Sequence, residues 1–255
     1  MAAGILKRRA ENTAGALKDR HAQRVRQAEA AVRDAREQLP ADPRIAVDLA
    51  QPDVPAGRRI VGCYGVNYRY PGATAPLWSE ALTFELAGPE RVRLQGPNGS
   101  GKSTLLELVC GCRRPATGDV YTGTTRIGML DQHAALLDDA LTLLDNLRRA
   151  APERPEHELR VLLGRFLFPG DDVFKPAGAL SGGERVRAGL TCLLAADQAP
   201  ELLVLDEPTN NLDLPGLEAV ASALRAYHGA LLVVSHDDTF LDEIGASREI
   251  VLPAR

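Results

Sequence analysis

The sequence predicts an α/β protein with a mainly parallel central sheet. Three observations carry that expectation. LLVLD and ALLVVS are near-continuous apolar runs, the pattern of strands buried on both faces. The short strand-like segment RVRLQ runs through a glycine-rich loop into the apolar-periodic TLLELV. Helical patterns such as GERVRAGLTCLLAA lie between the strand-like runs, which is the alternation of an α/β fold.

The 255 residues suit one large domain or two small ones. With 45% hydrophobic and 25% charged residues, the composition is globular and excludes a wholly disordered chain. No apolar run approaches the roughly 18–20 residues that cross a bilayer. The opening MAAGILKRRAENTAG lacks the order of a signal peptide. Cys63, Cys110, Cys112 and Cys192 make no zinc-type set, so they read as reduced structural cysteines of a cytoplasmic protein.

From the N-terminus, residues 1–40 hold nine basic and five acidic side chains. The segment is therefore +4, and the remainder −8, within a formal net charge of −4. Helix formers dominate residues 1–39, with no proline. Leu17, Val25, Val32 and Leu39 form a seam as thin as that of a coiled coil, which needs a partner helix. A basic arm on an acidic body suits an anionic partner. Pro40, Pro43, Pro52 and Pro55 mark residues 40–58 as a linker. The body spans 59–255. VGCYGVNYRY and ALTFELA alternate as strands do. The Leu- and Arg-rich stretch from Asp138 to Ala179, broken by Pro152, Pro155 and Pro169, reads as a helical insert.

Gly96-Pro97-Asn98-Gly99-Ser100-Gly101-Lys102-Ser103, followed by Thr104, fits the phosphate-loop pattern G-x-x-x-x-G-K-[ST]. Its glycines permit backbone conformations that a Cβ opposes, so amides can face a phosphate at the start of the next helix. Lys102 supplies a point charge to the β- and γ-phosphates, and Ser103 offers a hydroxyl to Mg2+. Past the buried strand LLVLD, Asp206 can hold Mg2+ through water, and Glu207 can act as general base. Leu180-Ser181-Gly182-Gly183-Glu184 opens a helix as a capping box with exposed amides, which is also an anion-binding arrangement. His236, in Ser235-His236-Asp237 at a third strand end, is placed to meet a γ-phosphate.

Taken in order, the phosphate loop, LSGGE, LLVLDEP, NNLD and SHD resemble an ATP-binding cassette (ABC) ATPase over about residues 59–252. The resemblance implies a P-loop cassette with an antiparallel β subdomain and a helical subdomain, preceded here by the long basic helix. It implies ATP and Mg2+ as ligands. Tyr70 then stacks on adenine, and Gln132, after the strand-like RIGMLD, approaches Mg2+ and the attacking water. Asn211, Leu212 and Asp213 match the loop that communicates across a dimer, and His236 matches the switch histidine. Ser181, Gly182 and Gly183 close over the ATP of a second cassette, so one chain carries two half-sites and closes neither.

DEPTNNLD and VVSHDDTFLDEI resemble the ABC-F branch, whose members act on ribosomes as translation factors or antibiotic-resistance protectors. In that resemblance the basic arm is the returning half of an inter-cassette linker that reaches toward tRNA. The chain would then be the C-terminal half of a protein about twice as long, a truncated gene product or an excised piece, and its second cassette would be another copy of itself or a missing N-terminal half. ABC-F members often carry His at Asn211 and a basic residue at Asp238, two departures in this chain. The alternative reading is the ATP-binding subunit of a transporter whose membrane subunits are separate chains.

Overall fold

The structure, a computed structural model, describes residues 51–253. The basic segment 1–39 and its seam lie outside the described residues, as does most of the stretch read as a linker. Within Gln51–Arg58, Pro52 and Val54 are buried, and Val54 joins one of the two apolar clusters of the body.

Two sheets form. The antiparallel sheet has the order β2-β1-β4, with β1 at Arg59–Asn67, β2 at Leu82–Ala87 and β4 at Thr117–Thr122. The parallel sheet has the order β5-β6-β7-β3-β8. Its strands are β3 (Arg91–Gln95), β5 (Ile127–Leu130), β6 (Leu202–Asp206), β7 (Ala230–Val234) and β8 (Arg248–Val251). The fold is thus of the expected α/β class, and the apolar runs read as buried strands lie mid-sheet as β6 and β7. Every residue of both strands is buried.

The two-residue period of a strand divides those side chains between two cores. Leu203, Leu205, Leu231 and Val233 point into a cluster shared with the helical insert. Leu202, Val204, Leu232 and Val234 point into a second cluster, with helix α1 (Lys102–Val109) and strand β1. Each face removes leucine and valine from water, a gain of about 1.5–3 kcal/mol per fully buried side chain.

The helical insert is as expected. It holds α2 (Leu143–Ala150) and α3 (Glu156–Arg165), then two short 3-10 turns at Gly170–Phe174 and Ala177–Ala179. Prolines sit at its breaks: Pro155 caps α3 and Pro169 opens the first turn. Helices α4 (Gly182–Ala195), α5 (Leu214–Ala226) and α6 (Asp238–Glu243) complete the body.

One strand departs from expectation. The pattern VGCYGVNYRY predicts a strand through Tyr70, but β1 ends at Asn67. The Asn67 side chain intervenes. Its Oδ1 accepts from the Tyr68 and Trp78 amides at 2.9 and 3.2 Å, and its Nδ2 donates to the Trp78 carbonyl at 2.8 Å. Local pairing of this kind takes the backbone out of the ladder.

Candidate nucleotide site

Parallel strands gather their C-terminal ends on one edge, where open α/β sheets bind ligands. Here β3 leads into Gly96, β5 into Gln132, β6 into Glu207 and β7 into Ser235. A cleft of ≈ 470 Å³ at that edge is lined by Tyr70, Asn98, Gly99, Gly101, Lys102, Ser103, Thr104, Gln132, Asp206, Glu207 and Val234. Most of the residues singled out in the sequence therefore share one cavity. Gly96 and His236 line an adjoining cleft of ≈ 390 Å³, which Lys102 also borders. Ser181, Gly182 and Gly183 line neither.

The phosphate loop is held from beneath. Trp78, buried, donates its indole N–H to the Ser100 carbonyl at 2.7 Å. Gly101 adopts φ 96, and a Cβ there would stand 2.7 Å from Leu77 Cδ2, so both its conformation and its neighbour demand glycine. Helix α1 begins directly after it with no side-chain cap. Its first amides stay available to an anion, and the helix dipole favours negative charge there. Lys102 Nζ donates to the Gly96 and Pro97 carbonyls at 2.7 and 3.3 Å.

Asp206 is the last residue of β6, buried and in register with Val234. Glu207 turns sharply away at φ 52, held by its amide on the Val234 carbonyl at 2.9 Å. A left-handed non-glycine residue costs about 1–3 kcal/mol and persists where the surroundings over-determine it. That turn aims the Glu207 carboxylate, 14% exposed, toward His236, whose side chain is 69% exposed. Beside them the Thr209 and Ser235 hydroxyls pair at 3.1 Å.

Tyr70 stands after the strand, not in it. Its hydroxyl shares a 2.5 Å hydrogen bond with Thr104 Oγ1, its ring meets Tyr68 edge-on at 5.1 Å, and the Arg113 guanidinium lies 6.0 Å from its centre. Arg113 is in turn gripped by Glu107, which raises its pKa further.

Around the cleft, Ser103, Asp206 and Gln132 supply a hydroxyl, a carboxylate and an amide. No cluster of three or more His, Cys, Asp or Glu residues suited to a metal occurs among the described residues. Few protein ligands, all hard oxygens, beside a phosphate cradle is a donor set that fits Mg2+.

The element Ser181–Glu184 is a complete capping box. Ser181 Oγ donates to Glu184 Oε2 at 2.7 Å, the Ser181 amide donates to the same oxygen at 2.9 Å, and the Glu184 amide donates back to Ser181 Oγ at 3.3 Å. The Ser181 hydroxyl and amide hold the Glu184 carboxyl below its usual range. Gly183 packs on the loop after β6, where a Cβ would come within 2.3 Å of the Asn211 carbonyl oxygen.

Sequence reasoning missed Trp78, Asn67 and Arg113. A signal for the first existed: it is the only tryptophan in a chain with 4% aromatics.

The sequence matches the family described as ABC transporter over residues 79–210, from the start of β2's approach through Asn210. The chain belongs to the ATP-binding cassette family, in its ABC-F branch. It is 34% identical over 202 residues to ABC transporter F family member 3 of Arabidopsis thaliana, covering 77% of this chain and 27% of that one. It is 38% identical over 173 residues to the energy-dependent translational throttle protein EttA of Escherichia coli, covering 65% and 30%. Against YdiF of Bacillus subtilis the identity is 45% over 170 residues, covering 66% and 26%. The cassette thus spans about a quarter of the length of such relatives. In fold it is similar to a dimeric, post-hydrolysis ATP-binding cassette bound to ADP and Pi, with a TM-score of 0.65 at 22% identity. That match covers 76% of this chain and 94% of the other.

Proposed function

We propose that this cassette binds ATP with Mg2+ and hydrolyses it at a composite site, closed when the Ser181–Gly183 element of a second cassette covers the nucleotide. The observation that carries the reading is the convergence of Lys102, Ser103, Gln132, Asp206 and Glu207 on one cleft. Tyr70 stacks on the base. Amides of Gly99 to Thr104 and the Lys102 ammonium cradle the phosphates. Ser103, Asp206 and Gln132 would hold Mg2+, which would supply neutralisation of the phosphate charge. Glu207 accepts a proton from the attacking water, and His236 orients that carboxylate and meets the γ-phosphate.

The chain's own Ser181–Gly183 lies outside its cleft, which supports pairing with a second cassette, either another copy or an upstream half. Steady-state ATP turnover per molecule is expected to fall as the protein is diluted. A rate that stays high and constant down to monomeric concentration overturns the composite site.

The second part of the proposal is action on the ribosome in the cytoplasm, as a translation factor or as an antibiotic-resistance protector, with the basic segment 1–39 reaching rRNA or tRNA. Its support is the ABC-F branch, a relative named as a translational throttle, and the +4 charge of the arm. Among the described residues no helix is long and apolar enough to cross a membrane. Co-sedimentation with ribosomes in ATP is the expected result. Co-purification with a membrane fraction, and none with ribosomes, would favour the transporter subunit.

A further inference from the structure

Helix α4 does more than present the Ser181–Glu184 element. Arg185 and Gly189 are four residues apart and so share one face of it. Both meet the loop that follows β5. Arg185 Nε donates to the His133 carbonyl at 3.0 Å. Its Nη1 donates to the Asp139 carboxylate at 2.6 Å and to the Ala177 carbonyl at 3.0 Å. A Cβ on Gly189 would stand 2.7 Å from Leu130 Cδ1 and 3.2 Å from Ala134 Cβ, so helix and loop are in direct contact.

The same loop is fixed from its other side. Asp131 Oδ1 accepts from the amides of His133 and Ala135 at 2.9 and 3.0 Å. Ala134 is fully buried at φ 47, a left-handed conformation that its surroundings must enforce. Gln132 stands inside this clamp, one residue before the carbonyl that Arg185 grips, and lines the nucleotide cleft. A charged guanidinium donor to a carbonyl is about twice as strong as a neutral one. Arg185, with its side chain 19% exposed, therefore ties the loop to the helix through charge-assisted bonds.

We propose that Arg185 is a positioning residue for Gln132. It couples the glutamine in the cis cleft to the helix whose first turn faces a second cassette. Displacement of that first turn is then transmitted through one guanidinium to the loop that carries Gln132. The inference rests on the ATPase reading of the site and adds a residue to it.

A double-mutant cycle tests it, using the 255-residue chain with Mg-ATP and a second cassette supplied. Arg185→Gln should lower kcat about tenfold, with the KM for ATP within about twofold, because the lost tie acts on geometry and not on uniform binding. In a Gln132→Ala background the same change should have little further effect, since residues in one network are non-additive. An equal tenfold loss in both backgrounds overturns the proposal. Should Arg185→Gln fail to fold, Arg185→Lys, which keeps the charge but lacks the planar fork, carries the same cycle.

Amide hydrogen exchange gives a readout that needs no turnover. Residues 133–137 should exchange about tenfold faster in the variant, with β6 and β7 unchanged. Unchanged exchange there also overturns the clamp. If the wild-type chain turns over no ATP with a second cassette supplied, the ATPase reading fails, while the exchange measurement still decides the clamp.

Discussion

His236 Nε2 stands 3.3 Å from Glu207 Oε1, close enough for the imidazole to fix the direction in which that carboxylate points. The pair joins the ends of β6 and β7, neighbours in the sheet. A carboxylate so directed can serve as a base, and its value depends on being held. Glu207→Gln should therefore keep ATP binding and lower turnover by about 10²–10⁴-fold, trapping a closed, ATP-bound pair of cassettes. Phosphate release with size-exclusion in ATP checks both halves. Wild-type turnover by the variant would remove Glu207 from the role.

In the proposed site Lys102 acts on binding instead. Its ammonium makes charge-assisted hydrogen bonds, worth about 1.5–3 kcal/mol each. Lys102→Ala should weaken nucleotide affinity by about ten- to a hundredfold. A titration with a fluorescent ATP analogue measures this directly, and an unchanged dissociation constant refutes the assignment.

Gly183→Ala separates the two half-sites. The new Cβ would press on the Asn211 carbonyl oxygen, and overpacking of that kind costs about 1–3 kcal/mol. Thermal melting should register the loss. Nucleotide binding to the chain's own cleft should survive, because Gly183 does not line it. Turnover should fall, since the displaced Asn211 loop and the first turn of α4 move together.

The thiols respond differently to pH. Burial pushes Cys63, Cys110 and Cys192 up to about 12, so at pH 8 almost none of each is thiolate. Cys112 is exposed. Iodoacetamide at pH 8 should label Cys112 first and the other three only after denaturation, as mass spectrometry of tryptic peptides would show. The protection weakens as pH rises toward 12, because the thiolate fraction grows. Rapid labelling of Cys192 in the native chain would contradict this.

Much of the site was legible because its chemistry is local. Gly96 to Thr104 stand in one unbroken loop between a strand and a helix, and β6 delivers Asp206 by simple alternation. Gln132 was reached only through resemblance, yet the structure places it on the same cleft. What stayed hidden depends on partners far along the chain. Asn67 ends β1 by pairing with Trp78, and Trp78 reaches Ser100, separations of 11 and 22 residues that no periodicity encodes. The left-handed turn at Glu207 was equally invisible, since Pro208 after it predicts an extended residue and the tertiary contacts of β7 override that preference.

The lone indole of the chain is bonded to the carbonyl that forms the floor of the phosphate cradle. Any ligand that reshapes those peptide units alters the polarity around a single indole, with no second tryptophan to obscure it. The molecule thus contains a candidate optical gauge: filling the cradle should shift tryptophan emission in the native protein, with no label attached.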